Sequence, residues 1–232
     1  MSPRRARDPK TLDLSEDRAR ALAMNPVSRE TAQRLDRFVE LLLKWQRVSN
    51  LIADSSVDHL WTRHIADSLQ LIALAPHART WVDLGSGAGF PGLVLACTLA
   101  DTPGALVHLI ESNAKKAAFL REAARITGAA AIIRHGRAED LIPAWRDAVD
   151  VVTARALAPL SILVELVAPM VKMGAKALFL KGQDVEAELT QATKCWNIEA
   201  AVLPSRTDRG GRIVEIRALE RRNERLHLRD LP

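Results

Sequence analysis

The sequence contains no tyrosine, and its aromatic residues together make up 4% of the chain. Without tyrosine, one common proton donor of nicotinamide-dependent hydride transfer is missing, and no obvious His/Lys set replaces it. The five tryptophans, Trp45, Trp61, Trp81, Trp145 and Trp196, are scattered. They form no interleaved basic–aromatic platform of the kind that binds single strands without sequence preference. Only two cysteines occur, Cys97 and Cys195. They are far apart and form no C-x-x-C, so neither a disulfide framework nor a zinc site is suggested, and both are expected to be buried structural residues. No apolar run approaches the ~20 residues of a membrane span. The basic start "MSPRRARDPK" has no apolar stretch behind it, so it does not read as a secretory signal. A soluble, cytoplasmic protein is expected. His59 and His64 are five apart and do not share a helical face as i and i+4 would, so no metal site is expected. His64 is read as positioning its own segment against the sheet edge.

What is present fits one globular domain with a small appendage: 232 residues, 48% hydrophobic and 26% charged. A net charge of +5 and a pI near 9.6 suit an anionic partner, or a solvated basic surface. Residues 1–12 read as a disordered basic arm and 13–76 as a helical N-terminal cap. There Leu35, Phe38, Val39, Leu42 and Trp45 make one apolar stripe at helix spacing. Asn25-Pro26 divides two helices, Ser28 is the expected N-cap of the second, and "LWTRHIADSLQLIAL" reads as a further helix. From residue 77 to 220, strand-like apolar runs alternate with helical patterns, which predicts a mostly parallel sheet covered on both faces. The last two strands are joined only by "SRTDRGG", so the sheet of about seven strands should end in an antiparallel hairpin. Residues 221–232 read as a charged tail.

The chemistry concentrates in "TWVDLGSGAGFPG". Gly87, Gly89 and Gly92 satisfy G-x-G-x-x-G, so a dinucleotide must be considered. Asp83 ends the preceding strand, however, two residues before Gly85, and would repel a diphosphate. A ligand with cationic groups would be drawn there instead. S-adenosylmethionine, with a sulfonium, an ammonium and no phosphate, is such a ligand. The glycines would let backbone approach it closely. Glu111 ends the next strand, placed to accept from ribose hydroxyls; this feature suits either ligand.

The segments "VDLGSGAGFPG", "HIADSL", "ESNAKKAAFLREAAR", "GRAED", "TARAL" and "LKGQ" occur in this order. Together they closely resemble the bacterial small-subunit ribosomal RNA guanine-N7 methyltransferases (RsmG/GidB, glucose-inhibited division protein B). The likeness runs from about Phe38 to Leu219. It implies a class I S-adenosylmethionine-dependent methyltransferase fold (α/β, Rossmann-like) with an N-terminal helical cap. It also implies methylation of one guanine N7 in the 16S rRNA decoding region. By position, Gly85 and Phe90 would line the cofactor, and Ala138 and Glu139 would hold its adenine end. Arg155 would lie between cofactor and RNA, and Arg137 and Lys181 would contact RNA. The partner would be 16S rRNA or the small-subunit particle, with no membrane, no metal, and a monomeric enzyme.

The residues agree with that chemistry. Guanine N7 carries an exposed lone pair and needs no general base, so alignment is the main task. No paired acid–base constellation stands in the loops after the strands. Where amino-group methylases commonly carry Asn/Asp-Pro-Pro-aromatic, this chain has "TARALAPL". Two other readings remain open at this level: a nicotinamide-dependent oxidoreductase, and a non-catalytic RNA-binding protein that kept the fold. Arg155 would then only pair with Asp150 or a helix end, and Lys181 would be a solvated charge at a strand end.

Overall fold

The computed structural model describes residues 13–222. The expected arm and most of the expected charged tail lie outside that range. Helix α1 (Ser15–Met24) is followed by α2 (Arg29–Gln46), where Ser28 is the N-cap and accepts from the Thr31 N–H at 3.1 Å. The apolar stripe is the reason α2 packs: Leu35, Phe38, Val39 and Leu42 are buried, each contributing roughly 1.5–3 kcal/mol. Trp45 is only partly buried, edge-on to Phe119, with its indole N–H on Glu122.

The segment expected to be one helix after Leu60 winds irregularly. A π-helical stretch, Trp61–Ala66, runs into α3 (Asp67–Leu69) and then a 3-10 turn, Ile72–Leu74. Its start is held from outside: buried Asp17 accepts from the Trp61 N–H at 2.7 Å and the Thr62 hydroxyl at 2.7 Å. Such wide turns often mark functional sites.

The sheet then builds as β1 (Thr80–Leu84), β2 (Leu106–Glu111), β3 (Ala131–His135), β4 (Val151–Arg155), β5 (Lys176–Lys181), β6 (Trp196–Pro204) and β7 (Arg212–Arg221). Between them lie α4 (Gly92–Thr98), α5 (Ala114–Thr127), α6 (Ala138–Leu141), α7 (Leu160–Lys172) and α8 (Val185–Ala192). The spatial order is β3-β2-β1-β4-β5-β7-β6, the first five strands parallel and β7 antiparallel to both neighbours. This is the expected class I methyltransferase plan with its terminal hairpin. The four-residue α6 follows β3 where the sequence signalled no helix.

Successive residues of each strand enter opposite layers, as the pleat requires. Trp81, Leu109 and Leu178 join the core under α2, α4 and α5; Val82, Ile110 and Phe179 join the core under α7 and α8. The N-terminal helices share the first core, with Phe38 against both Phe90 and Phe119. Cys97 is buried in α4, but Cys195 is exposed, contrary to expectation. It occupies the turn between α8 and β6 at the sheet's outer edge, where no layer covers it.

Candidate functional site

β1 pairs with β2 on one side and β4 on the other, so the direction of winding reverses beside it. Open α/β sheets bind ligands outside the strand ends at such a point. The glycine loop lies there. Gly85, Gly87 and Gly89 take φ of 64°, 55° and 95°, values that side chains resist.

Asp83 is not in the loop's mouth but beneath it, with no exposed surface. Its carboxylate accepts from the Thr153 hydroxyl at 2.8 Å and the Gly92 N–H at 3.1 Å. A Cβ on Gly92 would come 2.5 Å from Asp83 Oδ2, so α4 can begin this close to β1 only with glycine. Burial pushes the Asp83 pKa up to about 6, against the hydrogen bonds it receives. Glu111 is buried too. Its oxygens accept from the Gly87 N–H at 2.8 Å and the Asn113 N–H at 2.7 Å, which ties the glycine loop to the end of β2. Among the described residues neither carboxylate has a Lys or Arg within ion-pair distance. The loop therefore rests on two uncompensated acids.

Two clefts open at these strand ends. The first, about 110 Å³, is lined by Gly85, Ser112, Arg137, Ala138, Glu139 and Leu157. Of the residues expected at the cofactor, it holds Gly85, Ala138 and Glu139, whereas Gly87, Gly89, Phe90 and Glu111 do not line it. The second, about 270 Å³, is lined by Arg63, Asp67, Arg155, Lys181, Thr207 and Arg212 among others. The chain between them is Arg155-Ala156-Leu157, and Ala156 has φ +50°, a strained value for a residue with a side chain. Arg137 thus stands in the first cleft, apart from Arg155 and Lys181, although the sequence grouped all three.

Lys181 is not a solvated charge. Its Nζ meets Glu188 at 2.6 Å and the Ala158 carbonyl at 3.1 Å, holding the loop after β4. Nor does Arg155 pair with Asp150, whose carboxylate instead accepts from the N–H groups of Arg79 and Thr80. Arg155 Nη2 donates to His64 Nδ1 at 2.5 Å, and Nη1 is buried without a partner. Burial lowers the Arg155 pKa from its ordinary value, and Asp67 and Asp83 oppose that. Phe90 is buried and stacks on the His64 ring, centroids 4.8 Å apart. Asp67 Oδ1 accepts from Gln70, Ser205 and Thr207, which fastens α3 to the β6–β7 loop. His64, Asp67, Ser205, Thr207 and Leu157 were not singled out as site residues from the sequence. The only signal was "HIADSL" as a segment.

Among the described residues, no helix is long and apolar enough to cross a membrane. Nor do three His, Cys, Asp or Glu side chains there gather as a metal site.

The family model described as rRNA small subunit methyltransferase G (GidB) matches residues 31–211. A curated relative from Bradyrhizobium sp. (strain BTAi1 / ATCC BAA-1182), "Ribosomal RNA small subunit methyltransferase G", is 62% identical over 210 residues, 90% of this chain and 95% of that protein. In fold, the chain is similar to a Bacillus cereus O-methyltransferase solved in complex with SAH. That match has TM-score 0.56 and 14% identity over 86% of this chain and 96% of that one. It is also similar to M. jannaschii TYW2 in complex with AdoMet, with TM-score 0.52 and 15% identity over 68% and 76% of the two chains.

Proposed function

Because this chain belongs to the rRNA small subunit methyltransferase G family, we propose that it methylates N7 of a guanine in 16S rRNA. It is an S-adenosylmethionine-dependent rRNA methyltransferase, and the finer assignment concerns the atom modified and the residues that serve it. We assign its work to the cytoplasm and to a monomer acting on 16S rRNA or the small-subunit particle.

The observation that carries the cofactor reading is the buried carboxylate of Asp83, with no ion-pair partner among the described residues, under a glycine loop beside a narrow cleft. A diphosphate would be repelled there, and a cationic methyl donor is favoured. When bound, S-adenosylmethionine supplies an electrophilic methyl group on a sulfonium. Gly85, Gly87 and Gly89 give backbone access, and Phe90 closes the floor. Glu111 keeps spare lone pairs for ribose hydroxyls. Ala138 and Glu139 lie against the adenine end, with Arg137 at the cleft's RNA-facing rim. Asp83 acts through the loop rather than by contact. Arg155 and Lys181 face the acceptor RNA from the second cleft.

No residue need remove a proton, because the N7 lone pair attacks directly. His64 is no candidate base: burial first, then the charges of Arg155 and Arg63, push its pKa down to about 3. What the chain provides is alignment, which can supply several orders of magnitude.

The test is incubation of the pure protein with S-adenosylmethionine and either naked 16S rRNA or small-subunit particles lacking the modification, followed by mass spectrometry of nuclease fragments. One methyl group on a guanine N7 is expected, with much less transfer by Arg155→Ala. Methyl transfer to a different base atom would end the N7 assignment. Full turnover by Arg155→Ala would remove that residue from the site.

A further inference from the structure

We propose that His64 is a positioning residue: as a neutral acceptor it fixes the Arg155 guanidinium without cancelling its charge, which leaves Nη1 for an electron-rich group of the ligand. This rests on the reading of Arg155 as part of the transfer site.

The protonation pattern follows from the partners. Arginine only donates, so His64 Nδ1, 2.5 Å from Arg155 Nη2, must present its lone pair. The ring proton is then on Nε2, which donates to Ser56 Oγ at 3.0 Å. The Ser56 hydroxyl in turn donates to the Ala53 carbonyl at 2.7 Å. Each donor along this chain meets an acceptor, and the direction is set by Arg155. Stacking on Phe90, at 21° between planes, fixes the remaining freedom of the ring. One side chain thereby couples the floor of the glycine loop to the cation between the two clefts.

A carboxylate at this place would grip the guanidinium harder, through charge-assisted and bidentate bonds. It would also neutralise Arg155 and occupy the second nitrogen. Lys181 shows that outcome in the same cleft, where Glu188 at 2.6 Å holds its charge. Arg155 has no carboxylate within ion-pair distance among the described residues, and its Nη1 is a buried donor left open. Such donors are rare in folded proteins unless a water or a ligand meets them. The groups facing His64 are Arg155 from β4, Arg63 from its own segment and Ser56. Both charged neighbours are cationic and favour the neutral ring.

The test compares His64→Asn with His64→Asp in the full chain, with Arg155→Ala as reference. Asn places a neutral oxygen near the position of Nδ1, whereas Asp of the same size adds a charge. Methyl transfer to small-subunit particles is measured for each, together with the melting temperature. Both variants should lose activity with the ring, but Asp at least tenfold more than Asn, approaching the roughly hundredfold loss expected for Arg155→Ala. The Asp protein should melt no lower than the Asn protein, because it gains an ion pair. Equal activities of folded Asn and Asp variants would overturn the inference. If Arg155→Ala turns over like wild type, the reading of Arg155 fails instead, and the comparison separates the two cases. Should either His64 variant fail to fold, nitrogen-15 spectra of histidine-labelled wild type decide. His64 should appear as the Nε2–H tautomer, unchanged between pH 5 and 8. A proton on Nδ1, or titration in that range, would overturn the assignment.

Discussion

Replacing Asp83 by asparagine should make the protein more stable and a poorer binder of its cofactor, and both effects should depend on pH. The folded chain holds the Asp83 proton up to a pKa of about 6, against an ordinary 3.8, chiefly because the carboxyl has no access to water. That gap corresponds to about 3 kcal/mol. Below 3.8 the group is protonated whether or not the chain is folded. Between 3.8 and about 6 the unfolded chain has lost the proton and the folded chain retains it, so stability falls as pH rises. Above about 6 the full penalty is present. Asparagine removes the penalty and keeps the shape: its carbonyl can accept from the Gly92 N–H while the Thr153 hydroxyl turns to accept from its amide. Urea unfolding of both proteins in steps from pH 4 to pH 8 isolates the effect, because other carboxylates cancel in the difference. The difference should move by about 3 kcal/mol in favour of the variant as pH rises. Calorimetric titration with S-adenosylmethionine at pH 7.5 should show binding weakened at least tenfold. A unit charge acting over ~8 Å at an effective dielectric near 20 is worth about 2 kcal/mol. A stability difference independent of pH, or an unchanged affinity, would refute the placement of a buried charge under the loop.

Two further outcomes follow from the packing around the same strand ends. Gly92→Ala forces a methyl group to within 2.5 Å of Asp83 Oδ2. It should destabilise by ~1–3 kcal/mol, read as a melting point lower by about 5 °C, and a wild-type melting curve would show that α4 can shift freely. Glu188→Gln releases Lys181 from its 2.6 Å partner. RNA binding should tighten at low salt and its logarithmic salt slope steepen by about one; an unaltered slope in filter binding would mean that Lys181 does not face phosphate.

The sequence was most readable where burial is most uniform. β1, β2, β4 and β5 are covered on both faces, so they stand out as apolar runs, and the short "SRTDRGG" connection leaves a hairpin as the only neighbour geometry. The glycine loop and its two acids were equally visible, yet the role of Asp83 was not. Position at a strand end says that a residue is near the site; strand alternation decides which way it points. Asp83 shares the face of Trp81 and Leu109, so it goes under α4. The signal was Gly92, a glycine opening a buried helix nine residues later, where it relieves contact with that carboxylate. His64 was hidden for two physical reasons. Its neighbour Arg155 is 91 residues away in the chain, and the spacing from His59 was judged against an α-helical period that the π turn at Trp61–Ala66 does not keep. Periodicity finds residues that share a regular face. It cannot find a neutral acceptor whose value lies in what it leaves unpaired, because that depends on no carboxylate among the described residues standing within ion-pair distance of Arg155, and absence has no spacing.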